Sequence, residues 1–469
     1  MTHIVFETVG SCMIRFVSES EQLDELGLSY IKGIYQPEYL NTFFVPKSDG
    51  SSVLLVGIGK EDPQEVNTAK ELSGASCKEM RKLKVSAFTF SLSPYFTESS
   101  KETMRAFFEG IFLVTGKVRT YKTDVEEITY TIGVPEMVGE YKDALEEGRL
   151  LAENILFVRD LVNMPANDLW PEKLAEEFVR FAEGTGIEAK ILHADELKQM
   201  KMGGLLGVGL GSEFSPCLLV MRYTGDESTQ ERTGLIGKGV TVDTGGYCLK
   251  SGKSMYGIRG DMAGAAAVVG ALCALARRKA KVNVSAVLPL CENRISGGSM
   301  VAGDVLTSYS GKTIEVGNTD AEGRLILADA VTYAIRDEKV SRVLDIATLT
   351  GAVVDMFGFT IAGVMSDNDA MWTEFSDAGK KTGEKYWRIP FGREHEKALK
   401  SAVADFRNVG GQFCGTITAG LFIRSFAENV PWIHVDIAGT AWVDEPIYAY
   451  QEKYATGAGV ETIYQWLMD

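Results

Sequence analysis

From Asn167 onward the chain alternates short, nearly uncharged apolar runs with longer helix-forming ones, and this alternation restricts the fold more than any other feature. The apolar runs are Cys217–Tyr223, Gly234–Asp243, Val282–Leu290, Ser341–Thr348 and Trp432–Ile437, while Met262–Lys279 and Glu322–Arg336 read as helices. A strand apolar at successive positions, rather than at alternate ones, needs cover on both faces. Helices between the strands supply that cover, so the expected class is α/β, with a mainly parallel central sheet flanked by helices. In such sheets ligands bind at the carboxyl ends of the strands. The polar residues there are therefore the first candidates for chemistry.

At 469 residues the chain is too long for one ordinary domain. Ser52–Gly59, Val85–Leu92 and Glu127–Val134 read as strands around a charged, helix-forming Pro63–Leu83. They predict a smaller N-terminal α/β domain over 1–134. The stretch 135–164 is helix-forming, with Leu145, Leu150, Ala152, Ile155, Leu156 and Leu161 recurring on one side, and Met164-Pro165 stops it. It reads as a helical connector, leaving 165–469 as the catalytic domain.

The net charge of −16 argues against general nucleic-acid binding, which depends on clustered Lys and Arg. Seven scattered cysteines without a CxxC pair read as reduced thiols, not a disulfide framework. The start, MTHIVFETVG, lacks a basic leader and carries Glu7, and the uncharged run Met262–Ala276 is too short for a bilayer. The expectation is a cytoplasmic protein with no membrane association. Phosphate-loop look-alikes fail, because Tyr247 and Leu306 stand where Gly252-Lys253-Ser254 and Gly311-Lys312-Thr313 would need a first glycine. Gly207-Val208-Gly209-Leu210-Gly211 misses the dinucleotide fingerprint at Ser212, and no GxSxG elbow occurs.

Four acidic residues stand at strand ends or helix starts: Asp243, Asp261, Asp320 and Glu322. Lys238 lies inside the apolar run that Asp243 closes, and Lys250 and Arg324 add positive charge nearby. Converging carboxylates repel unless divalent cations neutralise them, and carboxylate oxygens suit Mg, Mn and Zn. The four histidines, His3, His193, His395 and His434, show no metal-ligand spacing. Each acidic residue also has a plainer reading. Thr319 with Glu322 fits a capping box, and Asp261 could cap the helix that follows it. His434, between Ile433 and Val435, reads as a core histidine. Lys238 resists such a reading, because a buried lysine needs specific stabilisation.

The octapeptide Asn318-Thr319-Asp320-Ala321-Glu322-Gly323-Arg324-Leu325 resembles the signature of the leucine aminopeptidase family of dinuclear metallopeptidases. Gly237–Thr241, Asp261-Met262, Ala347–Ala352 and His434–Trp442 extend the likeness, as does Asp160–Asn163 followed by Pro165-Ala166-Asn167. It covers about 155 to 469. The resemblance implies a metal-dependent aminopeptidase that prefers leucine or another apolar N-terminal residue. It implies one metal on Lys238, Asp243, Asp261 and Glu322, and a more exchangeable one on Asp243, Asp320 and Glu322. Mn or Zn is the expected metal, with Mg or Co as alternatives. Lys250 and Arg324 would be the catalytic pair, with bicarbonate held at the arginine. Leu349 and Gly351 would position the peptide, with Thr348 and Ile258 also at the substrate. A homohexamer is implied as well.

Departures from the family pattern fall at Val242, Thr244, Ser251, Ala263 and Ala302, none of them an implied ligand, and at Ile258, where methionine is frequent. Two other readings stay open on sequence alone. One is a hexameric DNA-binding protein with secondary peptidase activity. The other is a dipeptidase acting on cysteinylglycine.

Overall fold

The computed structural model describes residues 1–124, 127–136 and 141–469. The chain forms two compact units, divided within a helix at Leu156/Phe157. The first is Met1–Leu156 with Lys381–Gly383 and Pro446–Glu452. The second holds Phe157–Lys380, Glu384–Glu445 and Lys453–Asp469. Two short segments late in the chain thus belong to the N-terminal unit, which no linear division of the sequence anticipates.

The first unit is a six-stranded sheet in the order β1-β6-β5-β2-β4-β3. Its strands are β1 (Thr2–Val5), β2 (Cys12–Val17), β3 (Thr42–Pro46), β4 (Ser52–Gly57), β5 (Ala87–Phe90) and β6 (Tyr130–Gly133). All neighbours run parallel except β3 and β4. Helices Val66–Lys82 and Lys101–Thr115 pair with each other. Phe107 of the second helix meets Phe16 and Phe90 of the sheet and Phe96 of the turn after β5 at ring distances of 5.0–6.1 Å. Within the stretch 135–164 read as a helical connector, Lys142–Asn163 is helical, and 137–140 lie outside the described residues.

The second unit is built on a nine-stranded sheet. Its strands are β7 (Glu188–Leu192), β8 (Cys217–Thr224), β9 (Thr233–Gly237), β10 (Gly239–Asp243), β11 (Asn283–Asn293), β14 (Arg342–Ala347), β15 (Ile361–Ser366), β16 (Lys385–Arg388) and β18 (Trp432–Asp436). Short strands β12 (Val305–Thr307), β13 (Thr313–Glu315) and β17 (Phe406–Arg407) form a separate sheet. The order is β16-β15-β18-β14-β9-β11-β8-β7, with β10 also on β11. The central neighbours β18, β14, β9 and β11 are parallel, and β10 is parallel to β11. Antiparallel pairs β15/β18, β11/β8 and β7/β8 lie toward the edges. β9, β10 and β11 are buried at every position, as two-sided cover requires.

One expected strand is two. Gly234–Asp243 breaks at Lys238, whose N–H donates to Ile346 O at 3.1 Å and whose carbonyl accepts from Ala265 N–H at 2.9 Å. Glycines permit this close approach. A Cβ at Gly237 would lie 2.5 Å from Ala265 Cα, and one at Gly264 would lie 2.2 Å from Ile346 O. The alanine-rich helix Ala263–Arg277 is buried through Ala276. The span Met255–Arg277 is long and apolar enough for a bilayer, but 83% of its most apolar 18-residue window is buried inside the protein.

Candidate metal centre

The carboxyl ends of the parallel strands converge on one cavity of about 290 Å³. Asp243 ends β10, and Thr348, Leu349, Thr350 and Gly351 follow β14. Asp261 closes the 3₁₀ turn Ser254–Gly260, and Asp320 and Glu322 stand at the start of the helix Glu322–Arg336. Lys238, in the strand break, reaches the same space. Lys250 and Ile258 complete the expected residues that line it. Arg324 does not line the cavity: its Nη1 donates to Asn408 O at 2.8 Å, and its buried Nε has no hydrogen-bond partner among the described residues.

The plainer readings of the acidic residues do not hold. The helix Glu322–Arg336 has Ala321 at its N-cap with no side-chain cap. Thr319 instead donates to Gly245 O at 2.6 Å and accepts from Cys248 N–H at 2.8 Å. Met262, not Asp261, is the N-cap of the alanine-rich helix. Tertiary contacts have claimed both polar groups. His434 is a core residue, with Nδ1 2.5 Å from Asp345 Oδ1.

Lys238 Nζ lies 2.8 Å from Asp261 Oδ2, 2.8 Å from Glu322 Oε1 and 3.0 Å from Thr348 O. A Cβ at Gly323 would meet Lys238 Cε at 2.6 Å, so only glycine leaves the amine its place. Lys250 Nζ is 2.7 Å from Asp243 Oδ2 and also touches Asp320 Oδ1. Asp243 Oδ1 accepts from Gly245 N–H and from Asn293 Nδ2, each at 2.9 Å. Asp243, Asp320 and Glu322 each offer an oxygen, and these lie within 4.8 Å of one another.

The cluster sets four carboxylates against two ammonium groups. Burial raises Asp243 above its ordinary range and Glu322 adds to this, while Asp261 is raised well above it by burial against the pull of Lys238. Burial, then Asp243, push Asp320 up to about 6. Burial would raise Glu322 too, but Lys238 and Lys250 hold it low. Both lysines are pulled down by burial and pushed up further by the carboxylates. Burial pulls Arg324 down to about 10, which leaves it cationic at neutral pH.

Divalent cations fit this donor set. Among the described residues, Glu322 Oε2 is fully buried without a hydrogen-bond partner, and Asp261 Oδ2 has only its ion pair with Lys238, without hydrogen-bond geometry. An unpartnered buried carboxylate oxygen is costly in a protein interior. Here such oxygens sit in a negatively charged cluster, where a hard cation would satisfy them.

The family model for the catalytic domain of the cytosol aminopeptidase family matches residues 156–464, and that for its N-terminal domain matches 36–124. The chain belongs to the cytosol aminopeptidase family. It is accordingly a metal-dependent aminopeptidase. A probable cytosol aminopeptidase of Clostridium perfringens (strain 13 / Type A) is 40% identical, over 92% of this chain and 89% of its own. Another, from Solibacter usitatus (strain Ellin6076), is 41% identical over 90% of this chain and 88% of its own. Among solved structures, the bottromycin maturation enzyme BotP superposes with a TM-score of 0.86 at 30% identity, covering 98% of this chain and 99% of its own. The same enzyme in complex with Mn gives 0.86 at 31% identity, covering 97% of this chain and 98% of its own.

Several residues that support this aminopeptidase's site belong to none of the motifs singled out in the sequence. Asn293, at the end of β11, donates from Nδ2 both to Asp243 Oδ1 and, at 3.0 Å, to Thr319 O. Asp436, at the end of β18, accepts from Leu349 N–H at 3.1 Å, Ala438 N–H at 3.2 Å and Thr350 Oγ1 at 2.6 Å. Val354, Ala438 and Trp442 line the cavity with Ile258 and give it an apolar side. The rule that sites gather after strand ends points at Asn293 and Asp436. Nothing in the sequence points at Val354.

Proposed function

We propose that Lys238, Asp243, Asp261 and Glu322 hold one divalent cation, and that Asp243, Asp320 and Glu322 hold a second, with manganese or zinc as the native metal. The observation that carries this reading is the buried Glu322 Oε2, left without a partner inside a cluster of carboxylates. When bound, such a pair lowers the pKa of a shared water and neutralises charge developing on the scissile carbonyl.

The chain's own groups do the rest. Lys238 serves as a ligand only as the neutral amine, and divalent charge among its carboxylate partners favours that form. Lys250, ion-paired to Asp243 and Asp320 here, would be freed of those pairs with the site filled, and its ammonium would then face the peptide carbonyl as negative charge builds there. Arg324 is a planar cation whose buried Nε has no partner among the described residues, suited to holding bicarbonate. Backbone groups of Leu349 and Gly351 align the peptide. Ile258, with Thr348, Val354 and Trp442 around it, accepts an apolar N-terminal side chain, and leucine is the preferred residue. We assign the enzyme to the cytoplasm, as the relatives' names suggest, and to a homohexamer, which sedimentation tests.

The deciding experiment is hydrolysis of a leucine anilide before and after exhaustive chelation, then with Mn or Zn restored. Loss and recovery are expected. Activity indifferent to chelation overturns the reading.

A further inference from the structure

Tyr454 has φ +79°, the largest positive value among the described non-glycine residues. A bulky side chain seldom adopts that backbone, and such strain persists only where the surroundings over-determine it. They do so here. Ala455 N–H donates to Asn163 Oδ1 at 3.1 Å. Thr456 N–H donates to Ala441 O at 3.1 Å, and Thr456 Oγ1 donates to Thr440 O at 2.6 Å. Tyr454–Ala455 also pairs antiparallel with Trp442–Val443.

The strained backbone delivers a ring. Tyr454 stacks on Trp442 with centroids 4.9 Å apart and planes 28° apart. Its hydroxyl lies 3.2 Å from that of Tyr256. The Arg259 guanidinium lies 5.4–5.5 Å from the rings of Tyr256, Trp442 and Tyr454. Trp442 in turn lies over Gly260, where a Cβ would meet its ring at 3.0 Å, and it lines the cavity beside Gly257 and Ile258. Tyr454 does not itself line the cavity.

We propose that Tyr454 is a positioning residue: its ring braces Trp442 against the Gly257–Gly260 turn, fixing the apolar wall that selects the N-terminal side chain. The selectivity part rests on the substrate site proposed above. Because glycine adopts φ +79° freely, the brace can be removed while the backbone strain is released.

Tyr454→Gly and Tyr454→Phe are compared with the parent, with Trp442→Phe made in each background to isolate the Trp442 signal. Tyr454→Gly should keep its metal content and a Tm no lower than the parent. Acrylamide quenching of Trp442 should rise, and the kcat/KM ratio for a leucine anilide over a phenylalanine anilide should fall by roughly 10-fold, mainly through KM. Tyr454→Phe keeps the ring and should restore parental quenching and ratio. Quenching unchanged in Tyr454→Gly overturns the brace, as does a Tyr454→Phe that behaves like Tyr454→Gly. Raised quenching with an unchanged ratio overturns the selectivity role. If the parent shows no chelator-sensitive hydrolysis, the substrate site fails and the selectivity role with it, while quenching still decides the brace.

Discussion

Glu322 Oε1 lies 2.8 Å from Lys238 Nζ, whereas the other oxygen of the same carboxylate is buried and unpartnered. One half of the group is satisfied by a lysine and the other faces a cluster of like charge. From that asymmetry follow the behaviours expected of the site.

Asp320→Ala should abolish peptide hydrolysis and leave the fold intact. Asp320 is the most exposed of the four acidic groups, so its removal opens no core cavity. The expected fall in kcat/KM exceeds ~100-fold, beyond what losses outside the ligand set give. Near-normal turnover, with circular dichroism unchanged, would reject the site assignment.

Asp320, pushed up to about 6, gives the site a pH signature of two signs. Below that pH the carboxyl is protonated, so metal uptake should weaken as pH falls through about 6. In metal-free protein the sign reverses. A raised folded pKa contributes stability that is fully present below the unfolded value and lost as pH rises through about 6. Melting curves across that range, with and without chelator, should diverge as pH rises. Parallel curves would contradict the prediction.

Lys238→Met should be tolerated only with metal. Removing the cation leaves Asp261 and Glu322 buried without their counter-charge, a loss of about 3–5 kcal/mol in metal-free protein. Added Mn should restore most of the melting temperature, though not full activity. Equal destabilisation in both states would mean that the lysine acts by packing alone.

Asn293→Ala removes both donors that tie Asp243 to Thr319. Metal affinity should fall about 10–100-fold, as is usual when a ligand loses its orienting partner. Titration calorimetry with Mn reads this directly, and an unchanged affinity would show that Gly245 N–H suffices.

Ile258→Ala should weaken discrimination in favour of leucine over alanine substrates by about 10-fold, with glycine substrates little affected. A uniform loss across the panel would place Ile258 outside the pocket.

The strands β8, β9, β10, β11, β14 and β18 were legible because their runs are nearly continuously apolar, a pattern that two-sided cover explains. The edge strands β7 and β16 are interrupted by charged residues and carry no such signal. The four carboxylates were legible because each follows a strand or opens a helix. Lys238 was misplaced inside a strand, since its break comes from bonds to Ile346 and Ala265, distant in sequence. The capping reading of Thr319 failed for a similar reason: Gly245 and Cys248 bind the hydroxyl that a local rule would spend on the helix. Asn293 and Asp436 act on partners far along the chain, and composition or period carries no record of that.

Asp436 takes hydrogen bonds from Leu349, Thr350 and Ala438, so the loops after β14 and β18 hang from one carboxylate. The two neighbouring loops therefore share a single acceptor group. A change at Asp436 would act on Leu349 and Ala438 together. In the pocket proposed above, removing that one anchor would release both loops at once, and with them the fit to the N-terminal side chain.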